Sequence, residues 1–306
     1  MKNSSAFCSI IWGKGGGLMR ESQIQTIMSA IDFIEQHLQE KLSLDQIAAV
    51  LNYSKFHLHR EFVRTVGLTM GEYAVRRRLT EAARFLSFSR KPILEIALSS
   101  GYGSQQAFTD IFRAMYKASP GQFRKEGEFY PLQLKMSLGE QPSKDRFSKK
   151  DIQKAKESDV SDWMHLTSLV IDGYPCLDEA EHRRALCQSV KEGRAFVIRD
   201  GHRLAGAVSM GPQGGRIDFL AVHPQYKNLE IENLFVGWIM QELLPGEEID
   251  MTTYRQGDRA DTGHRRRLWK LGFESRELLW EYGYPVQRFV LSPKKWEEIP
   301  HNEDRI

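Results

Sequence analysis

The strongest constraint in this chain is a pattern that occurs twice. From Leu44 to Phe62 the sequence runs LDQIAAVLNYSKFHLHREF. Ser43 is placed to cap a first helix, on which Leu44, Ile47, Ala48 and Leu51 fall on one face. Asn52-Tyr53 makes a turn and Ser54 caps a second helix. On that helix Leu58 and Phe62 face inward, which leaves Lys55, His57, His59, Arg60 and Arg64 outside. The spacing predicts a helix-turn-helix with a basic, polar second helix. Ile96-Ala97 and Gly101-Tyr102 then repeat Ile47-Ala48 and Asn52-Tyr53 at an offset of 49 residues, and Phe112 answers Phe62 with one residue inserted. Between the copies, Tyr73, Arg76 to Arg78, Leu79, Ala83 and Leu86 predict a helix long enough to hold two units apart.

Charge follows the same division. Lys55 to Lys125 contains 13 Lys/Arg against 5 Asp/Glu, whereas the whole chain carries only +3. Basic charge gathered on a helix-turn-helix frame is the electrostatic footprint of nucleic-acid binding. Cys8, Cys176 and Cys187 are scattered, without metal-ligand spacing, and suit a reducing cytosol. No apolar run reaches the length of a membrane span, and Phe7 to Trp12 is too short for a signal peptide, so a cytoplasmic protein is expected.

Residues 24 to 125 resemble the DNA-binding module of the AraC/XylS family of bacterial transcription regulators. The first signature is Ser54, Leu58, Arg60, Phe62, Gly67, Tyr73, Arg78-Leu79 and Ala82. The second is Ile93, Ile96-Ala97, Gly101-Tyr102, Ser104, Phe108, Phe112, Pro120 and Phe123-Arg124. YSKFHLHR and SQQAFTDIFR are similar to the subgroup that binds asymmetric sites as a monomer. The resemblance implies double-stranded promoter DNA and RNA polymerase as partners, with both recognition helices in successive major grooves. It also places Phe56, His59 and Arg60 in the first unit, and Gln105, Gln106 and Thr109 in the second, at base-contacting positions. There Arg60 suits a guanine, Phe56 a thymine methyl and glutamine an adenine. Lys55, Arg64 and Arg113 are expected on phosphates. Asp110 departs from the family, which places a base there; a carboxylate either accepts from cytosine N4 or repels phosphate.

Residues 1 to 18 lack periodicity, and Lys14-Gly15-Gly16-Gly17 before Met19 suggests a translated ribosome-binding site with the true start at Met19. Ile24, Ile27, Ile31, Ile34 and Leu38 form the core stripe of a first helix, so the DNA-binding domain is expected over 19 to 128. Leu132, Leu134, Met136 and Leu138 alternate as in a strand, and Gly139 to Lys150 has the polarity of a linker.

Residues 151 to 293 predict an α/β domain, with 294 to 306 as a polar tail. Asp151-Ile152 begins a strand, and Trp163, Leu166, Leu169 and Val170 mark a helix. Further strands are expected at 195 to 198, 204 to 209, 217 to 222, 249 to 254 and, as a pair, from 278 to 291. This order, with IDFLAVHPQYK and LWKLGF in place, resembles the GNAT acetyltransferase superfamily. The resemblance implies that the junction after Val222-His223-Pro224 offers backbone amides to the pyrophosphate of coenzyme A. Here that loop carries Lys227, Asn228, Glu230 and Glu232, with Asn228, Glu230 and Glu232 where glycines belong. Two carboxylates repel a pyrophosphate, and Leu268 stands where the general-acid tyrosine is expected.

Other features stay open at this stage. His264 to Arg267 with Arg255 suit either an anionic effector or a solvated helix face. Trp269, Trp280, Tyr282 and Tyr284 line either a pocket or a core, and Asp218 is either a base or a solvent-facing acid. His57, His59 and His223 form no metal pattern. The expected fold is multidomain, α and α+β: an all-α double helix-turn-helix domain, then a GNAT-like α/β domain with a mixed, mostly antiparallel sheet. The expected function is a sequence-specific regulator whose second, catalytically degenerate domain senses a ligand or partner without a cofactor, or serves as a plain protein interaction module. The alternative is an active acetyl-CoA-dependent N-acyltransferase fused to a DNA-binding module.

Overall fold

The computed structural model describes residues 19–170, 178–281 and 283–299. The leader, Cys8, Cys176, Tyr282 and the end of the polar tail lie outside the described residues. The first half is helical: α1 (Glu21–Gln36), α2 (Leu44–Val50), α3 (Lys55–Val66), α4 (Met70–Phe88), α5 (Ile93–Ser99), α6 (Gln105–Tyr116) and α7 (Pro120–Glu126). Ser43 caps α2 in a reciprocal box with Gln46. Ser54 holds the N-cap position of α3 in an extended conformation, yet its side chain makes no capping hydrogen bond, which corrects the sequence expectation. Gly67 ends α3 with φ 87°, and Lys117 takes the equivalent place after α6 with φ 63°. The left-handed conformation suits glycine and costs a lysine about 1–2 kcal/mol.

Two apolar cores divide this half. Ile27, Ile31, Ile34, Ile47, Leu58, Phe62 and Tyr73 close the first unit. Leu79, Leu86, Ile96, Phe108, Phe112 and Phe123 close the second, joined by Tyr254, Tyr284 and Val286 from the other end of the chain. The spacer α4 locks the units together. Arg78 donates to the carbonyls of Leu38 and Glu40 while its guanidinium lies 5.8 Å from the Tyr102 ring. Gly101 packs so closely there that a Cβ would stand 2.3 Å from the Gln39 carbonyl oxygen.

The segment predicted as a strand from Leu132 to Leu138 forms none. Its alternation is partly kept, since Leu132, Met136 and Leu138 are buried, but much of its backbone hydrogen-bonds to side chains of α4. The amides of Leu132 and Gln133 donate to Thr80 Oγ1, that of Met136 donates to Tyr73 Oη, and Arg77 donates to the Gln133 carbonyl. A ladder was unnecessary because every buried polar group needs only some partner. Arg77 in turn grips Glu35 through two nitrogens at 2.7 and 2.8 Å.

The second half comprises β1 (Gln153–Lys154), α8 (Val160–Val170), α9 (Glu179–Lys191), β2 (Ala195–Asp200), β3 (Arg203–Met210), β4 (Ile217–Val222), α10 (Ile231–Trp238), β5 (Ile249–Tyr254), α11 (His264–Lys270), β6 (Glu274–Glu281), β7 (Tyr284–Leu291) and α12 (Pro293–Glu298). One antiparallel sheet has the order β1-β2-β3-β4 and another β5-β7-β6. Among the described residues, a single parallel bridge, Arg216 to Asp250, links them. Residues Asp151 and Ile152 precede the first strand, because Lys149–Asp151 is a 3-10 turn. The start of the expected tail is α12, capped by Ser292 and packed through Trp296 onto the core. The Gly139–Lys150 stretch also packs: Gln225 bonds both Gly139 and Glu140, and Phe147 is buried.

Both recognition units end against the second half. Lys227, on the 3-10 turn Pro224–Leu229, donates through Nζ to the Val66 carbonyl at 2.9 Å, at the end of α3. At the end of α6, Lys117 Nζ donates to the Ala114 carbonyl and pairs with Asp258. That ammonium also lies 5.7 and 5.9 Å from the rings of Tyr254 and Tyr284. On α4, Arg76 is buried and donates to the Ala260 carbonyl.

Candidate nucleic-acid interface

The expected base-reading side chains stand on the outer faces of α3 and α6. Phe56 is 81% exposed, a cost that water alone does not repay. Arg60 is exposed and His59 half-buried on the same helix, while Leu58 and Phe62 anchor the opposite face in the core. Arg60 Nη2 lies 2.8 Å from His57 Nδ1, and the His57 ring stacks on Tyr53. With arginine the donor, Nδ1 is the acceptor, so this contact requires the neutral imidazole. The Arg60 guanidinium is thus steered along the helix.

On α6, Gln105 and Gln106 are exposed and Thr109 is half-buried, above the buried pair Phe108 and Phe112. Ser104 caps this helix by accepting from the Ala107 amide. Gln106 Nε2 donates to Asp110 Oδ1 at 2.8 Å, a partnership the sequence reading did not anticipate although the residues are four apart.

The expected phosphate contacts divide. Arg113 is exposed, Lys55 is paired with Asp45 at 2.7 Å, and Arg64 is half-buried beside Glu61 at 3.4 Å. The exposed Lys55–Asp45 pair contributes about 0–1 kcal/mol, whereas Glu61, the partner of Arg64, is buried. Among the described residues, no three His, Cys, Asp or Glu side chains gather as a cation site.

The residues singled out in the second half scatter. Arg265 is buried, donates to the Tyr254 carbonyl at 2.9 Å and lies over Trp269 and Phe289, so it is a core cation and not part of a solvated face. Arg255 and Arg266 are exposed, and Arg267 lies 3.9 Å from Glu232 and 2.8 Å from His264. Trp269 and Trp280 are largely exposed, while Tyr284 is buried. Leu268 is buried in the core. Of the loop residues, Asn228 is half-buried and Glu230 is exposed in a left-handed conformation, φ 54°, at the start of α10. His223 is buried ahead of this loop, where desolvation and then Arg203 push its pKa down to about 3, so it is neutral and accepts from the Gln225 amide.

A cavity of about 380 Å³ opens where β4 and β5 part. Val66, Gly67 and Leu68, which follow the first recognition helix, form part of its wall, and Trp163, Asp218 and Arg216 form another. Burial raises the Asp218 carboxyl above its ordinary value, against the pull of Arg216 at 3.4 Å. Arg216 also contacts Glu281 at 2.9 Å. Among the described residues, no helix is long and apolar enough to cross a membrane.

A helix-turn-helix domain family matches residues 47–126. The uncharacterized HTH-type transcriptional regulator YbfP of Bacillus subtilis is 40% identical over 100 residues, which are 33% of this chain and 34% of that protein. Transcriptional regulator Rob of Salmonella typhimurium is 37% identical over 120 residues, 39% of this chain and 42% of that protein. The chain therefore spans well under half the length of either. Regulatory protein SoxS of Salmonella typhimurium is 38% identical over 103 residues, 34% of this chain but 96% of that protein. With two stacked helix-turn-helix units and a relative matched across nearly its whole length, this chain belongs to the AraC family of helix-turn-helix transcription regulators.

Proposed function

We propose that this protein reads a specific promoter sequence as a monomer, through Phe56, His59 and Arg60 in one major groove and Gln105, Gln106 and Thr109 in the next. Lys55, Arg64 and Arg113 then hold the phosphates. RNA polymerase is the partner that such binding recruits or excludes in the cytoplasm. The observation that carries this reading is the pairing of outward-facing polar side chains with buried aromatic anchors on both recognition helices. One rigid spacer, α4, and its Arg78 set both helices in a fixed relation, so a composite site is read at a fixed spacing.

The second half is a GNAT-like domain that senses a small effector. Supporting this are the order of its strands, the parting of β4 and β5 beyond one parallel bridge, and the helix α10 that follows the His223-Pro224 loop. The loop does not fit coenzyme A. Glu230 and Glu232 stand at the start of α10, and Lys227 is turned to the Val66 carbonyl. Carboxylates oppose an anion at a helix start that offers only about half a positive charge. Catalysis is accordingly lost, and the cavity beside Val66 is the effector site.

The experiment is a titration of the full chain with fluorescent duplexes selected from a random pool, with and without acetyl-CoA. Tight, sequence-selective binding indifferent to acetyl-CoA is expected. A shift with acetyl-CoA would restore the coenzyme site and move the acyltransferase reading ahead. Absence of selective binding would overturn the promoter-reading proposal.

A further inference from the structure

The two recognition helices differ in the charge of their outer faces: α3 carries Lys55, Arg60 and Arg64, whereas α6 sets Asp110 beside Arg113. A carboxylate on the outer face of α6 is unexpected where DNA phosphates approach, because like charges repel. Its side chain is not idle. Asp110 Oδ1 accepts from Gln106 Nε2 at 2.8 Å, and since a carboxylate only accepts, the amide nitrogen must be the atom turned toward it. One donor of Gln106 is thereby committed within the helix. Among the described residues, Asp110 Oδ2 and Gln106 Oε1 have no further protein partner. Both residues are exposed, one turn apart, on a face whose back is fixed by buried Phe108 and Phe112.

The geometry points to Asp110 as a specificity-determining residue whose second carboxylate oxygen, beside Gln106 Oε1, selects exocyclic amino groups in the major groove. This rests on the promoter-reading proposal. An unpaired glutamine offers a donor and an acceptor together and suits adenine, whose edge carries N7 and N6. The paired glutamine keeps its oxygen outward beside a carboxylate oxygen. Cytosine N4 and adenine N6 are the only donors the major-groove edge provides. Guanine offers N7 and O6, and thymine offers O4 and a methyl group, so each would set an acceptor or an apolar group against a carboxylate. A desolvated carboxylate without a donor is costly, so Asp110 discriminates mainly by rejecting guanine and thymine.

The test varies every position of the selected duplex through all four base pairs and measures Kd for the full-length wild type, Asp110→Ala and Asp110→Asn, each at low and high salt. For the wild type, one position in the α6 half-site should favour adenine or cytosine over guanine or thymine by roughly tenfold. Asp110→Ala should level the four bases to within about threefold at that position, and Asp110→Asn should recover adenine alone, because asparagine restores a donor. Discrimination of this origin should persist at high salt. If Asp110→Ala instead tightens binding to all sequences by one factor that fades with salt, Asp110 acts only on phosphates and the inference fails. Unchanged base preference in Asp110→Ala also overturns it. Wild type that selects no sequence overturns the promoter-reading proposal itself, and this inference with it.

Discussion

The first helix-turn-helix unit closes a core of its own, whereas the second shares its core with the sheet of the other half. Their recognition helices end differently as a result. After α3 stands Gly67, relaxed in the left-handed conformation, and the cation at the helix end is lent by Lys227 from the second half. After α6 stands Lys117, which bears the strained conformation itself and pairs with Asp258. Each end receives an ammonium where a helix dipole is negative. The same electrostatic need is met once by a lysine at the cavity wall and once by an ion pair built into a core. On the effector-site proposal, a ligand in the cavity beside Val66 should perturb α3 more than α6.

The largest effect should come from the built-in contact. Asp258 is almost wholly buried, and Asp258→Ala leaves Lys117 facing Tyr254 and Tyr284 without its carboxylate. A loss of about 3 kcal/mol is expected in chemical denaturation, as for buried pairs broken on one side. A loss below 1 kcal/mol would make the two ends equivalent.

Next comes base reading by the first unit. Arg60→Ala should cost about 1–3 kcal/mol at one base pair and relax selectivity there, with α6 contacts unchanged. Equal weakening on every sequence would reassign Arg60 to phosphate. Lys227→Ala should cost about 1 kcal/mol of stability by removing one hydrogen bond and one favourable charge at the end of α3. Its affinity loss should fall on duplexes altered in the α6 half-site as much as on intact ones, since the first unit is the one disturbed. The smallest effect belongs to Lys55→Ala, which should weaken all sequences alike and lower the salt slope by about one unit. An unchanged slope would mean that Lys55 stays with Asp45.

The double helix-turn-helix was legible because its signals are local: a cap such as Ser43, apolar steps of three and four, and a turn repeated at a fixed offset. Strands β2 to β7 were legible for the same reason, as short apolar runs between turn residues. Three features were not. The buried stripe of α9 consists of little more than Leu186 and Ser189, too weak a period to detect. The Leu132 to Leu138 segment alternates like a strand, yet its hydrogen bonds go to Thr80 and Tyr73, more than 50 residues away. The ties at both recognition helices join residues more than 140 apart, which no periodicity records. On the outer faces of α3 and α6, the pairing of Arg60 with His57 and of Gln106 with Asp110 follows from rotamers that no sequence pattern records.

Arg76 carries a consequence for how the molecule melts. It sits in the middle of α4, only 3% exposed, and its guanidinium leans on the Ala260 carbonyl of the distant half. Separating the halves would open that guanidinium's surroundings, together with Lys117 and the Tyr254 and Tyr284 rings, to solvent at a single stroke. The second helix-turn-helix and the β5-β7-β6 sheet then form one cooperative unit, and calorimetry should resolve their unfolding as a shared transition. The first unit, with its separate core, should unfold in a transition of its own.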